Sequence, residues 1–258
     1  MTDLPILFSG PMIQALIDGT KTQTRRVVKI TDDLADQAHT GDLVNYYGDR
    51  RLGMRFEGTT LVQPIRYTPG DRLWVRETWQ EFFTDELPKD RPTPIKGRMG
   101  IPARPDRQSA IAFRADGEMP NHAEYGKAIW RPSTFMPRWA SRLTLTVTAV
   151  RVQRLQDISE DDAIAEGIYR TDPTPADIES GCTPQDFVFQ APGVRQGWGQ
   201  TKEERQRDQW WPNATGAFRL LWDSLNAKRG FGWEVNPWVC ALSFDIHRCN
   251  IDEMETSQ

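Results

Sequence analysis

The chain has 258 residues, 38% of them hydrophobic and 26% charged, with a formal net charge of −4. That length buries a core without help from disulfides or metals, and the acidic balance excludes a protein that coats nucleic acid by bulk charge, though not one with a local basic pocket. No run reaches the ~18 apolar residues of a membrane helix, the opening residues lack the cationic start of a secretory signal, and Cys182, Cys240 and Cys249 show no CxxC spacing. The expectation is a reducing cytoplasm, with neither a disulfide framework nor a zinc site.

Taken in order, Ser9-Gly10-Pro11 opens a helix whose stripe is Met12, Ala15 and Leu16, and Gly19 closes it. A basic stretch, Lys21 to Arg26, runs into Val27 and Val28. Residues 31–67 are polar and irregular and read as an insertion. Pro69-Gly70-Asp71 is a turn, and Leu73 to Trp79 alternates as a strand. Residues 85–109 form a proline-rich second insertion with six Lys or Arg from Lys89 to Arg107. Ile111 to Arg114 is a short strand, and Ser141 to Val152 is the clearest one, with Leu143, Leu145, Val147 and Ala149 on one face. A helix follows, capped by Ser159 with Asp162 as its capping-box partner and ended by Gly167. Residues 170–212 are a third insertion. Phe218, Leu221, Trp222 and Leu225 mark an amphipathic helix, Trp238 to Ile246 the last strand, and an acidic tail after it is expected to be disordered. The elements describe one domain, mainly β with packed helices, whose core covers approximately 4–30, 68–82, 110–115, 138–168 and 216–247. A small antiparallel barrel fits this order.

Gly19-Thr20-Lys21-Thr22-Gln23-Thr24-Arg25-Arg26 resembles the signature of the ASCH family of PUA-like barrels, Gly-x-Lys-x-x-Glu-x-Arg after a short helix. Gly19, Lys21 and Arg26 match, and Thr24 stands where the family usually has Glu. The bacterial N4-acetylcytidine amidohydrolases of this family carry Thr at that place, as a nucleophile beside the Lys, and a third catalytic residue, a Glu, in the helix after a long strand. Ile158 to Gly167 is similar to that helix, with Glu166 at the matching place. Over its whole length the chain resembles phage and prophage ASCH-like proteins through Pro5-Ile6-Leu7-Phe8, Gly70 to Glu77 and the Glu-Gly helix end. The resemblance to the catalytic family covers roughly 100 to 120 residues, the size of a small domain. It implies a PUA-like β-barrel carrying long loop insertions.

A Thr hydroxyl needs a base to become a nucleophile. A Lys amine serves only if desolvation or nearby cations lower its pKa, and Arg25 and Arg26 are candidate cations. Lys21 and Thr24, three apart, face opposite ways on a flat strand, so their cooperation requires a turn or bulge. The resemblance implies a small-pocket hydrolase for a modified pyrimidine nucleoside, with catalytic Lys21, Thr24 and Glu166. Substrate-binding candidates are Arg25, Arg26, Trp74, which could stack a base, and Glu77, which contacts a base edge, pairs with Arg26 or forms a cross-strand ion pair. The other readings are solvated charges and packed tryptophans, an RNA- or nucleotide-binding module with or without ribonuclease activity, and a non-enzymatic phage accessory protein. His39, His122 and His247 show no ligand spacing, and no Walker loop, GxGxxG or HExxH occurs, so neither a metal nor an organic cofactor is expected. Expected partners are a modified nucleoside, nucleotide or RNA, with no membrane and with protein partners left open. The basic loop from Lys89 to Arg107 is expected to steer an anionic substrate.

Overall fold

A computed structural model describes residues 1–29, 43–46, 50–56, 59–83, 109–117, 130–171, 179, 188–193 and 213–254. The strands are β1 (Asp3–Leu7), β2 (Gln23–Val27), β3 (Leu43–Tyr46), β4 (Arg51–Phe56), β5 (Thr59–Pro64), β6 (Arg72–Arg76), β7 (Trp79–Phe83), β8 (Ser109–Phe113), β9 (Thr144–Arg154), β10 (Tyr169–Thr171), β11 (Val188–Gln190) and β12 (Trp238–His247). The α-helices are α1 (Gly10–Ile17), α2 (Glu160–Ala165) and α3 (Ala214–Asn226). The fold is therefore one of strands with packed helices. Its largest sheet has five strands in the order β1-β6-β9-β12-β2. No pairing of β1 with β2 closes that sheet among the described residues.

The chain divides into two compact units, the first made of residues 1–17, 71–146 and 246–258, the second of 18–70 and 147–245. In the first, β1 runs parallel to β6 from Asp3↔Arg72 to Leu7↔Arg76, and β6 is antiparallel to β9. Leu73, Val75, Leu143 and Leu145 alternate into its core, as the period of two requires. The strand expected to run to Trp79 instead stops at Arg76, and a second begins at Trp79, paired with β8. The break falls at Glu77, whose backbone N–H meets the Met136 sulfur at 3.3 Å. Trp79 is fully buried against Met136 and Ala140, with Trp139 edge-on at 6.3 Å. The tail expected to be disordered is docked through residue 252. The Asn250 amide donates to the carbonyls of Arg138, Trp139 and Ser141, and Ile251 is fully buried.

In the second unit, β2 is antiparallel to β12 from Gln23↔Ser243 to Val27↔Val239. α3 buries Ala217, Phe218, Leu221 and Trp222, whereas Leu225, expected on the same face, is 45% exposed. The Asn213 side chain caps α3 by accepting from Gly216 N–H. The Glu160 carboxylate of α2 accepts from Ala214 N–H at 2.6 Å and Thr215 N–H at 3.2 Å. An anion on those unpaired donors locks the two helices together. The segment 31–67, read as an irregular insertion, carries the antiparallel meander β3-β4-β5. The basic loop Lys89 to Arg107 lies outside the described residues, as do most of 170–212 and Cys182. Cys240 is buried, which pushes its thiol up to about 12.

Candidate functional site

The second unit gathers the charged residues of the basic stretch around α2. Ser159 caps this helix by accepting from Asp162 N–H at 3.1 Å. The other half of the expected capping box is replaced, because the Asp162 carboxylate is taken by side chains from β2 and β9. Glu166 forms the C-cap, and the next residue, Gly167, has φ 97°, where an L side chain is strained. The chain turns back there and buries Ile168. The free carbonyls of the helix end are satisfied from the start of β2. Thr22 N–H donates to Ala165 O at 2.8 Å, and the Lys21 ammonium donates to Glu166 O at 2.8 Å. Lys21 and Glu166 also form an isolated antiparallel bridge.

Lys21 is fully buried and Glu166 is 3% exposed. Lys21 Nζ lies 2.7 Å from Glu166 Oε2, and Arg25 Nη1 lies 3.2 Å from Oε1. Arg25 spans further: Nη1 donates to Gln23 Oε1 at 2.6 Å and Nη2 to Asp162 Oδ2 at 2.7 Å. Gln23 Nε2 donates to Asp162 Oδ1 at 3.0 Å, and Arg151 Nη2 reaches both Asp162 oxygens at 2.7 and 2.8 Å. The Arg25 guanidinium sits 5.7 Å from the Phe218 ring centroid of α3, and its Nε is buried with no hydrogen-bond partner. Lys21, Gln23 and Arg25 therefore share the side of the segment that faces α2.

The described geometry gives Lys21 and Thr24 no shared face. Lys21 stands outside the regular strand, in its bridge, whereas Thr24 is the second residue of β2, opposite Leu242 and 2% exposed. Alternation puts Thr24 on the same side of β2 as Arg26, away from Gln23 and Arg25. Arg26 nevertheless feels the Glu166 charge, and Lys21 feels that of Arg26.

Burial is the main influence on Lys21 and pushes its pKa below that of an ordinary lysine. The Glu166 charge and hydrogen bond oppose this, and Arg26 and Arg25 add to it. Arg26 is lowered by burial, against the attraction of Tyr67 and Glu166 and with the repulsion of Arg66 and Arg229. Burial raises Asp162, but its hydrogen bonds to Arg151 and Gln23 and the charges of Arg25 and Arg151 hold it below the usual carboxylate range.

The other two candidates belong to the first unit. Glu77 is 1% exposed, and Arg142, not Arg26, takes both its oxygens, at 2.8 and 3.0 Å. Arg142 also bridges to Asp116 and covers the Phe113 ring at 4.0 Å. Burial raises Glu77 above a normal carboxylate despite that partner. Trp74 is 8% exposed, with the Arg76 guanidinium 4.7 Å from its ring centroid. The residues that sequence reading missed are Gln23 and Arg151. Asp162 was seen only as a cap. Their partners lie far off in sequence or carry no motif, so local patterning held no signal for them.

Among the described residues no group of His, Cys, Asp or Glu is arranged to hold a metal ion, and no helix is long and apolar enough to cross a membrane. The chain matches no family model, no curated protein and no solved structure.

Proposed function

We propose that the chain is a PUA-like, ASCH-type protein that hydrolyses N4-acylated cytidine or a closely related acylated pyrimidine, acting in the cytoplasm. The observation that carries this reading is the buried Lys21–Glu166 pair at 2.7 Å, held by the bridge between the approach to β2 and the end of α2. A lysine whose proton affinity is lowered by burial and two arginines, with a carboxylate in contact, is a proton-exchanging couple.

In the proposed reaction Glu166 takes a proton from Lys21, and the neutral amine removes the Thr24 hydroxyl proton as Oγ attacks the acyl carbon. The carbonyl electron pair moves onto oxygen, and Arg26, on the Thr24 side of β2, stabilises that oxyanion. Collapse breaks the carbon–nitrogen bond, and the leaving N4 amine receives the proton held by the couple. Water then attacks the Thr24 ester with the same base, releasing the carboxylic acid and restoring the hydroxyl.

A second reading, binding of a nucleotide or RNA, is supported by one observation: Arg66 and Arg229, both exposed, lie near enough to Arg26 to repel it. Positive charge around Arg26 suits a phosphate.

Product analysis with N4-acetylcytidine, free nucleotides and short RNAs separates the two. As a hydrolase, the Thr24→Ala variant loses turnover by about 10³-fold or more while substrate affinity stays within a few-fold, and Thr24→Ser keeps part of the rate. As a binding module, the protein turns nothing over in any form, Thr24→Ala is silent, and Lys21→Ala weakens RNA binding and flattens its salt dependence.

A further inference from the structure

The Asp162 carboxylate is the point where three side chains from two strands meet, Gln23 and Arg25 of β2 and Arg151 of β9. We propose that Asp162 is a positioning residue of the Lys21–Glu166 couple: by holding Arg25 and Gln23, it keeps the Arg25 fork on one Glu166 oxygen and leaves the other to Lys21. The chemical proposal rests on the hydrolase reading above, but the electrostatic part stands without it.

The geometry makes Arg25 a two-ended clamp. One end, Nη2, is on Asp162 Oδ2 at 2.7 Å, and the other, Nη1, is on Glu166 Oε1 at 3.2 Å and Gln23 Oε1 at 2.6 Å. Gln23 is tied to the same carboxylate through its Nε2. The Arg25 side chain is wholly buried, so water cannot replace either carboxylate. Without the Asp162 charge, Arg25 keeps a single carboxylate, Glu166, and competes for it with Lys21. Among the charged groups acting on Lys21 are Glu166, Arg25 and Arg26, and among those acting on Asp162 are Arg25 and Arg151. Removing the Asp162 charge therefore destabilises the Lys21 ammonium by drawing Glu166 toward Arg25. Removing Arg151, which holds Asp162 from its half-exposed outer side, leaves the Asp162 charge less compensated and has the opposite sign.

The test follows the Lys21 side-chain signal by NMR through a pH titration of the full chain, beside the pH profile of kcat/KM for N4-acetylcytidine. With Asp162→Asn, the Lys21 midpoint and the acidic limb of the profile both move down, by about one pH unit, with KM little changed. With Arg151→Gln, a surface change that leaves the fold intact even if Asp162→Asn unfolds it, both move up by a smaller amount. Asp161→Asn, an exposed neighbour in the same helix turn, moves neither and so controls for helix stability. The positioning role is overturned if Asp162→Asn leaves the Lys21 midpoint where it was, if Arg151→Gln moves it down, or if Asp161→Asn shifts it as much. A wild-type protein with the expected NMR shifts and no turnover would refute the hydrolase reading and leave the electrostatic junction standing.

Discussion

Individual side chains in the second unit differ in how much depends on them, and Glu166 serves two buried cations, Lys21 and Arg25. Glu166→Gln removes the carboxylate that Lys21 and Arg25 share, and breaking a buried pair in this way costs roughly 3–5 kcal/mol. Lys21→Met leaves Glu166 still held by Arg25 and fills the space with a side chain of similar length, so its cost is smaller. Chemical denaturation of both variants checks the order, which reverses if Lys21 is the main anchor. Asp162 adds a pH signature. Its folded pKa lies below the unfolded value, so its contribution is complete above that value and is lost as pH falls through the folded one. Asp162→Asn therefore flattens the fall in stability below about pH 4, where an unperturbed aspartate titrates.

Whole elements were legible in the sequence wherever local chemistry decides them. Pro11 and Gly19 bracket α1, Ser159 and Gly167 bracket α2, and the alternation from Leu143 to Ala149 marks β9. These ends are testable. Ser159→Ala removes the bond to Asp162 N–H and costs about 1 kcal/mol. Gly167→Ala places a side chain at φ 97° and costs roughly 1–2 kcal/mol. Equal thermal stability of wild type and Gly167→Ala would mean that the turn relaxes at no cost. Other elements were missed although their pattern is present. Leu52, Met54 and Phe56 alternate with Arg51, Gly53 and Arg55 along β4, but the polar residues around them hid the period of two. The site was legible as residues and not as geometry. Lys21, Thr24 and Glu166 came from a family resemblance. The clamp formed by Arg25, Gln23 and Asp162 joins positions up to 139 apart, which periodicity does not see. Glu77 read equally well as a ligand contact or an ion pair, and its partner Arg142 lies 65 residues on.

At the scale of the molecule, neither compact unit is a continuous stretch of chain. The first is assembled from three segments and the second from two, so most pairings close long loops and folding is expected to be slow for a chain of this size. The short last segment contributes more than its length suggests. Cutting the chain after Arg248 removes the Ile251 side chain from the core, worth about 1.5–3 kcal/mol. It also leaves the Arg138, Trp139 and Ser141 carbonyls without the Asn250 amide. A chain cut after Asp252 keeps both contacts and unfolds close to wild type, and equal melting temperatures for the two truncations would show that the tail is ornamental. The place of β12 in its sheet has a further effect on biosynthesis. It is a middle strand, with β9 on one side and β2 on the other, yet it is translated after both. Until residues 238–247 leave the ribosome, β2 and β9 present open edges to any other nascent chain. Premature termination, or a slow patch of codons before Trp238, would then yield aggregates in place of a smaller working protein.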